Sequence, residues 1–311
     1  MKTLIIGFGS IGKKHFLALK NLKCEVAVVS KSCEKAEFNG HKFTLFKDLK
    51  QVNLKEFELF VIANITTSHF HTLKTLDTAV QGKTILVEKP VFESFYEYKS
   101  KQNAIFVAYL LRFNPVVQAL RRLIANGIAQ GEKPYFASFV CHSYLPNWRA
   151  LPYTQNYSAH KELGGGVSLD LSHELDLACF LFQKPKLKFA QIAKISALKI
   201  NSDDLAFFAL QDKKGAKIHI ELSYFSKFNA REICIHTPKK SFKADLLQNV
   251  IEIYDKKGLC EKASFESDTI KTLENLHLAL IDKDKRVCSL KSALRVLKLI
   301  DKGKRNKNDF V

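Results

Sequence analysis

The sequence predicts an α/β protein in which a doubly wound parallel sheet is followed by an α+β domain with an open, mostly antiparallel sheet. Three observations predict it. A short apolar β run, Leu4 to Ile6, leads into glycines at 7, 9 and 12 and then into an amphipathic helical stretch. Apolar β runs then alternate with helix-like segments, the pattern of parallel strands joined by crossover helices. Beyond residue 113 the chain changes to alternating β-rich runs such as PYFASFVCHSY and AKIHIELSYF, separated by turn residues. The expected division is 1–112, 113–290 and, over 291–311, a closing helix that packs back on the first domain, followed by a basic tail.

The first element carries the pattern GxGxxG between a strand and a helix. Gly7 permits the tight turn, Gly9 lets the backbone approach a diphosphate, and Gly12 lets helix and strand pack closely. The helix start at Ser10 and Ile11 then offers N–H groups to phosphates. A dinucleotide-binding (Rossmann) domain is the expected outcome. The second strand, CEVAVVSK, ends at Ser30 and Lys31, where NAD enzymes usually place an acid on the ribose hydroxyls. A hydroxyl followed by a lysine suits a 2′-phosphate, so NADP is preferred over NAD.

LFVIAN and TILVEK are two further strands with SHFHTLKTLDTAVQ as a helix between them. In such a sheet the ligand lies at the carboxyl ends of the strands. Asn64, Thr66, His69, Glu88 and Lys89 join the expected cofactor-binding set on that ground. Lys89 ends a buried strand before Pro90, which is a candidate cis residue. Partial burial and a neighbouring cationic ring both favour proton exchange by its amine.

GGGVSLDLSHELD (164–176) carries the second set of chemistry. Asp170 and His173 stand three apart in a helical pattern expected to span 166–182, so both side chains project from one face. A carboxylate beside an imidazole fixes the ring tautomer and raises its basicity, as a general acid/base pair requires. Before the glycines, Trp148, Arg149, Tyr153 and Tyr157 lie in a loop. Aromatic faces stack on sugar rings, and arginine holds phosphate or carboxylate. Arg112, Trp148, Arg149 and Tyr157 are the expected substrate-binding residues. The helix NPVVQALRRLIANG is expected to stop at Gly127.

Composition sets the bounds. Of the 311 residues, 46% are hydrophobic and 26% charged, an ordinary soluble balance. No apolar run reaches the length of a membrane span. MKTLIIGFG lacks the sustained apolar core of a signal peptide, so a cytoplasmic location is expected. The seven cysteines are odd in number and form no CxxC, against both a disulfide framework and a metal site. A net charge of +18 suggests nucleic acid first, but the lysines are spread along the chain and no nucleic-acid motif appears. A field that draws anionic cofactors and substrates is the better use of that charge. Only the tail from Lys302 is densely basic, and it is expected to be a solvated, mobile end.

GFGSIGKKH, IANITTSHFHT, VEKP, LLRFNP and GGGVSLDLSHELD together resemble the glucose–fructose oxidoreductase/inositol dehydrogenase (Gfo/Idh/MocA) family over essentially the whole chain. The resemblance implies a nicotinamide-dependent oxidoreductase acting on a sugar, sugar acid or nucleotide sugar. It assigns proton transfer to Lys89, Asp170 and His173. It also implies a homodimer or homotetramer formed through the second sheet. Two departures stand out: many members space the Asp and His four apart, and many have Thr-Pro where this chain has Asn64-Ile65-Thr66. Other functions compatible with the sequence are an NAD-retaining glycoside-cleaving relative and a non-enzymatic NADP(H) sensor.

Overall fold

The computed structural model describes residues 1–182 and 184–305. In chain order the first elements are β1 Lys2–Ile6, α1 Ser10–Asn21, β2 Glu25–Val29, a hairpin of β3 Glu37–Phe38 and β4 His41–Lys42, and β5 Thr44–Phe46. Then come β6 Leu59–Ile62, α2 Thr66–Ala79, β7 Thr84–Val87 and β8 Ala104–Val107. α3 Pro115–Ala129 leads to β9 Phe136–Tyr144 and the short helices α4 Val167–Asp170 and α5 His173–Leu181. The strands β10 Lys186–Ala193, β11 Leu205–Gln211, β12 Lys217–Ser223, β13 Phe225–His236, β14 Ser241–Asp245, β15 Val250–Asp255 and β16 Gly258–Ser264 follow. α6 Thr269–Ile281, β17 Cys288–Ser289 and α7 Leu290–Arg305 complete the described chain.

Two compact units result: Met1–Phe113 with Asp268–Leu294, and Asn114–Ser267 with the chain from Arg295 onward. The first holds a sheet in the order β5-β2-β1-β6-β7-β8-β17. Its pairings are parallel except β17 against β8. Strand order reverses between β1 and β6, the point at which doubly wound sheets bind nucleotides. β6 is buried at every position, and β1, β2 and β7 at all but their first, which explains their unbroken apolar runs.

The second unit holds the eight-stranded sheet β10-β11-β12-β9-β13-β14-β15-β16, antiparallel except for β12 beside β9. Buried and open residues alternate along β9, β11 and β12, so one face makes the core. The Asn114 side chain caps α3 by accepting from Val116 N–H at 2.9 Å, with Pro115 in the first turn.

Four sequence expectations change. Segment 268–290 was expected in the second domain but joins the first unit. There Leu273, Leu276 and Leu280 of α6 enter the core around Phe16 and Leu19 of α1, and Asn21 donates to Glu274 at 2.7 Å. The closing helix was expected to pack back on the first domain, yet from Arg295 it belongs to the second unit. There Gly303 lies so close to Ala190, Ile192 and Phe208 that a Cβ would meet all three. Lys302 to Arg305, expected as the start of a mobile tail, are helical, and Lys304 lies 3.6 Å from Asp203. The remainder of that tail, 306–311, lies outside the described residues. α3 runs through Gly127, since a glycine costs a helix only about 1 kcal/mol relative to alanine, and ends at Ala129, with Gln130 as its C-cap before Gly131 at φ +82°.

Candidate functional site

The glycine turn of the first unit separates what the fold needs from what a ligand needs. Gly7 adopts φ +99°, and a Cβ there would lie 2.5 Å from the backbone of Ala63 and Asn64. A Cβ on Gly12 would lie 2.2 Å from the Gly7 carbonyl. Both glycines are required by packing. Gly9 is not: its φ of −75° is ordinary and a Cβ would meet nothing within 4 Å. Gly9 is also the N-cap of α1, with no side-chain cap and no acid in the first turn. Bare N–H groups, an open approach and the absence of negative charge suit a diphosphate at Ser10 to Gly12. The residues therefore fit a dinucleotide.

At the end of β2, Ser30 is buried and its hydroxyl accepts from Cys33 N–H at 3.2 Å, shaping the turn. Lys31 is exposed. Lys47, just after β5, donates to the Cys33 carbonyl, adding a second lysine at this turn that the sequence had not singled out. After β6, Asn64 donates to Thr72 at 2.9 Å. Thr66 opens α2. His69, expected at the cofactor, is buried, its ring nitrogens 3.0 Å from the Pro90 carbonyl and 3.1 Å from that of Asn64. It ties the loops after β6 and β7 together. Burial holds its pKa below the usual imidazole range against the pull of those two acceptors.

After β7, Glu88 is buried, Lys89 half-buried, and the Lys89–Pro90 peptide is cis. One Glu88 oxygen accepts from Lys89 N–H at 3.1 Å, and the other lies 2.7 Å from His15 Nε2. His15 is in turn 2.9 Å from His277, through Nδ1. Neither histidine was picked out from sequence, because nothing local links α1 to α6. Arg112 is buried and donates to the Arg286 carbonyl at 3.2 Å. That contact ties the turn after β8 to the loop before β17, an anchoring place for a residue expected at the substrate.

In the second unit the expected helix over 166–182 is two helices, broken at Leu171–Ser172. Across the break Ser172 N–H bonds to Leu169 and Glu174 N–H to Leu171, three residues back. Tight turns of this kind favour a common side for side chains three apart, as an Asp170–His173 pair requires. Gly166, at φ +130°, lies where a Cβ would strike the Asp203 carboxylate. That carboxylate accepts from Ser168 N–H at 2.8 Å and so fastens the start of α4.

Asp170 is 4% exposed. Its Oδ1 accepts from the Tyr157 hydroxyl at 3.1 Å and its Oδ2 from that of Tyr224 at 2.6 Å. Burial first, and then the Asp170 charge, push both phenols well above their usual range, so both remain donors. Trp148 packs edge-on against Tyr224, with centroids 5.1 Å apart, and the Arg149 guanidinium lies 5.2 Å from the Tyr157 ring centre. Three of the expected substrate residues thus gather with Asp170. Tyr224 was missed, since nothing in the strand-end run SYF marks it. Beside His173, Glu174 is bound bidentately by Arg231 at 2.7 and 3.2 Å.

A profile described as an oxidoreductase family with an NAD-binding Rossmann fold matches residues 1–105, and one for the GFO/IDH/MocA C-terminal domain matches 117–243. The chain belongs to the Gfo/Idh/MocA family of oxidoreductases. No curated protein matches it in sequence. Solved structures share the fold of this Gfo/Idh/MocA chain at low identity. An oxidoreductase from Agrobacterium radiobacter, in complex with NAD+, L-tartaric acid and magnesium, is 17% identical. Its TM-score is 0.81, with 98% of this chain and 96% of that one covered. UDP-N-acetylglucosamine 3-dehydrogenase GnnA from Acidithiobacillus ferrooxidans is 20% identical, with a TM-score of 0.73 and coverage of 96% and 94%. Levoglucosan dehydrogenase with NADH and levoglucosan is 17% identical, with a TM-score of 0.81 and coverage of 97% and 95%. Among the described residues no helix is long and apolar enough to cross a membrane.

Proposed function

We propose that this oxidoreductase moves a hydride between a nicotinamide cofactor, preferentially NADP(H), and a carbinol carbon of a sugar, sugar acid or nucleotide sugar. The observation that carries the reading is the convergence of Trp148, Arg149 and Tyr157 with the buried Asp170, three residues from His173. An aromatic face with an adjacent guanidinium suits a sugar ring bearing an anionic group. The solved relatives named above act on or bind a nucleotide sugar, a sugar anhydride and a hydroxy acid, which fits the same substrate class.

Gly7, Gly9, Ser10, Ile11, Gly12, Asn64, Thr66 and Glu88 would hold the cofactor, with Ser30 and Lys31 at its 2′-phosphate. When bound, the cofactor accepts or returns the hydride. In the oxidation direction the substrate hydroxyl proton passes to His173 or Lys89 as C–H leaves as hydride and C=O forms. Asp170, already held by two phenols, positions this proton exchange. The half-exposed aromatic residues Phe136 and Phe207, on the outer face of the second sheet, support a homodimer or homotetramer formed there.

Fluorescence titration with NADPH and NADH tests the cofactor. A panel of UDP-N-acetylglucosamine, levoglucosan and L-tartrate with NADP+ and NAD+ tests turnover. Lys89→Ala and His173→Ala should each abolish turnover and leave NADPH affinity within about twofold, since binding and proton transfer are separate tasks. Loss of cofactor binding in both variants would overturn this division. Release of sugar product with no net change in cofactor absorbance would favour a glycoside-cleaving reaction instead.

A further inference from the structure

Two consecutive loop residues rest on two tyrosines, and both tyrosines end on one carboxylate. Trp148 sits on Tyr224 and Arg149 on Tyr157, while the two phenols donate to opposite oxygens of Asp170. Tyr224 is the more deeply buried of the pair. It is fully buried just beyond β12. Its N–H bonds to the Asp204 carbonyl at 3.0 Å, and its own carbonyl accepts from Leu145 N–H at 2.8 Å. Leu145 is the root of the loop that carries Trp148. One residue therefore fixes the base of that loop, seats its aromatic side chain and holds the carboxylate.

We propose that Tyr224 is a positioning residue that couples the seat of the substrate loop to the orientation of Asp170. The inference rests on the reading of Asp170 as part of the proton-exchange set. Its two functions are separable by chemistry. The hydroxyl holds Asp170 and the ring holds Trp148. Removing the hydroxyl alone leaves the loop seated but lets the carboxylate turn, which harms the reacting geometry and not the binding of substrate. Removing the ring unseats Trp148 as well.

The chain contains a single tryptophan, Trp148, so its emission reports that seat without any substrate. In the full chain, Tyr224→Phe should keep the wild-type emission maximum and lower kcat about ten- to hundredfold at nearly unchanged KM, the loss expected for a hydrogen bond to a charged group. Tyr224→Leu should shift the Trp148 emission to the red, increase its quenching by acrylamide and raise KM as well. Turnover is read on the panel member with the highest kcat/KM. Wild-type kcat in Tyr224→Phe, beside an inactive Asp170→Asn, would overturn the inference alone. So would unchanged emission in Tyr224→Leu. An active Asp170→Asn, or a panel without turnover, would instead overturn the functional reading beneath it. A Tyr224→Phe protein with shifted emission would show that the hydroxyl, not the ring, holds the loop, and that too would reject the division proposed.

Discussion

His15 Nδ1 lies 2.9 Å from His277 Nε2 inside the first unit, and no part of either ring reaches solvent. The other His15 nitrogen meets Glu88, whose second oxygen accepts the Lys89 N–H. The chain joins α6 to the backbone of the proposed proton-exchange lysine. It fits one tautomer pattern: His277 donates to His15, and His15 donates to Glu88.

That arrangement predicts acid lability. Burial, and then the neighbouring His15, hold His277 well below the usual imidazole range, and burial lowers His69 as well. The unfolded chain takes up these protons near pH 6.5 and the native chain only at lower pH. Below pH 6.5 the unfolded state thus binds more protons, and stability falls as pH drops towards the folded values. The slope reaches about 1.4 kcal/mol per pH unit for each histidine. Urea midpoints between pH 5 and 7.5 should show this fall, and His277→Leu should flatten it while lowering stability at neutral pH. An identical pH slope in His277→Leu would reject the account.

The glycines predict a clean separation of binding from folding. Gly9→Ala adds a Cβ to open space, so its melting temperature should match wild type. The same methyl intrudes on the backbone that approaches the diphosphate, and NADPH affinity should fall about tenfold or more. Gly12→Ala drives a Cβ to 2.2 Å from the Gly7 carbonyl and should unfold or strongly destabilise the first unit. Equal melting temperatures for the two variants would contradict this.

Much of the Rossmann half was legible because its signals are local. A strand, three glycines and a helix stand in consecutive residues, and the strands are apolar at nearly every position. The convergence of Trp148, Arg149 and Tyr157 on Asp170 was foreshadowed by residue type alone. What stayed hidden depends on contacts distant in sequence. Tyr224 reaches Asp170 from 54 residues away and His277 reaches His15 from 262. No periodicity encodes either. His69 and Arg112 show the converse, for a polar residue at a promising strand end also serves to tie two loops together. The place of α6 beside α1 was unreadable too, because its apolar stripe names no partner.

Cofactor choice is predicted to rest on Lys31. No carboxylate stands at the end of β2, and the Ser30 hydroxyl already accepts from Cys33 N–H. Lys31→Ala should weaken NADPH binding about tenfold and leave NADH within twofold, as expected for one charge-assisted contact to a phosphate. Parallel fluorescence titrations with the two cofactors decide it. Equal losses for both would remove the 2′-phosphate role, and tighter NADH than NADPH in the wild type would make NAD the cofactor.

The Glu174–Arg231 pair predicts how firmly α5 holds His173. Glu174 adjoins His173 in the first turn, and its side chain is 2% exposed. Arg231, on β13, grips both of its oxygens, so α5 is fastened to the sheet by a bidentate pair. Such a pair is no great source of stability in itself, because two desolvated charges offset much of their attraction. Removing one partner is another matter. Arg231→Met leaves a buried carboxylate uncompensated, at a cost of about 3–5 kcal/mol, or roughly 10 °C in the melting temperature of a unit this size. The double variant Glu174→Met with Arg231→Met should recover much of that loss, since neither charge remains. Calorimetry of the three proteins separates the cases. If Arg231→Met melts with the wild type, the pair does not fasten α5; if the double variant melts no higher than the single, packing of the arginine stem, and not charge, holds the helix.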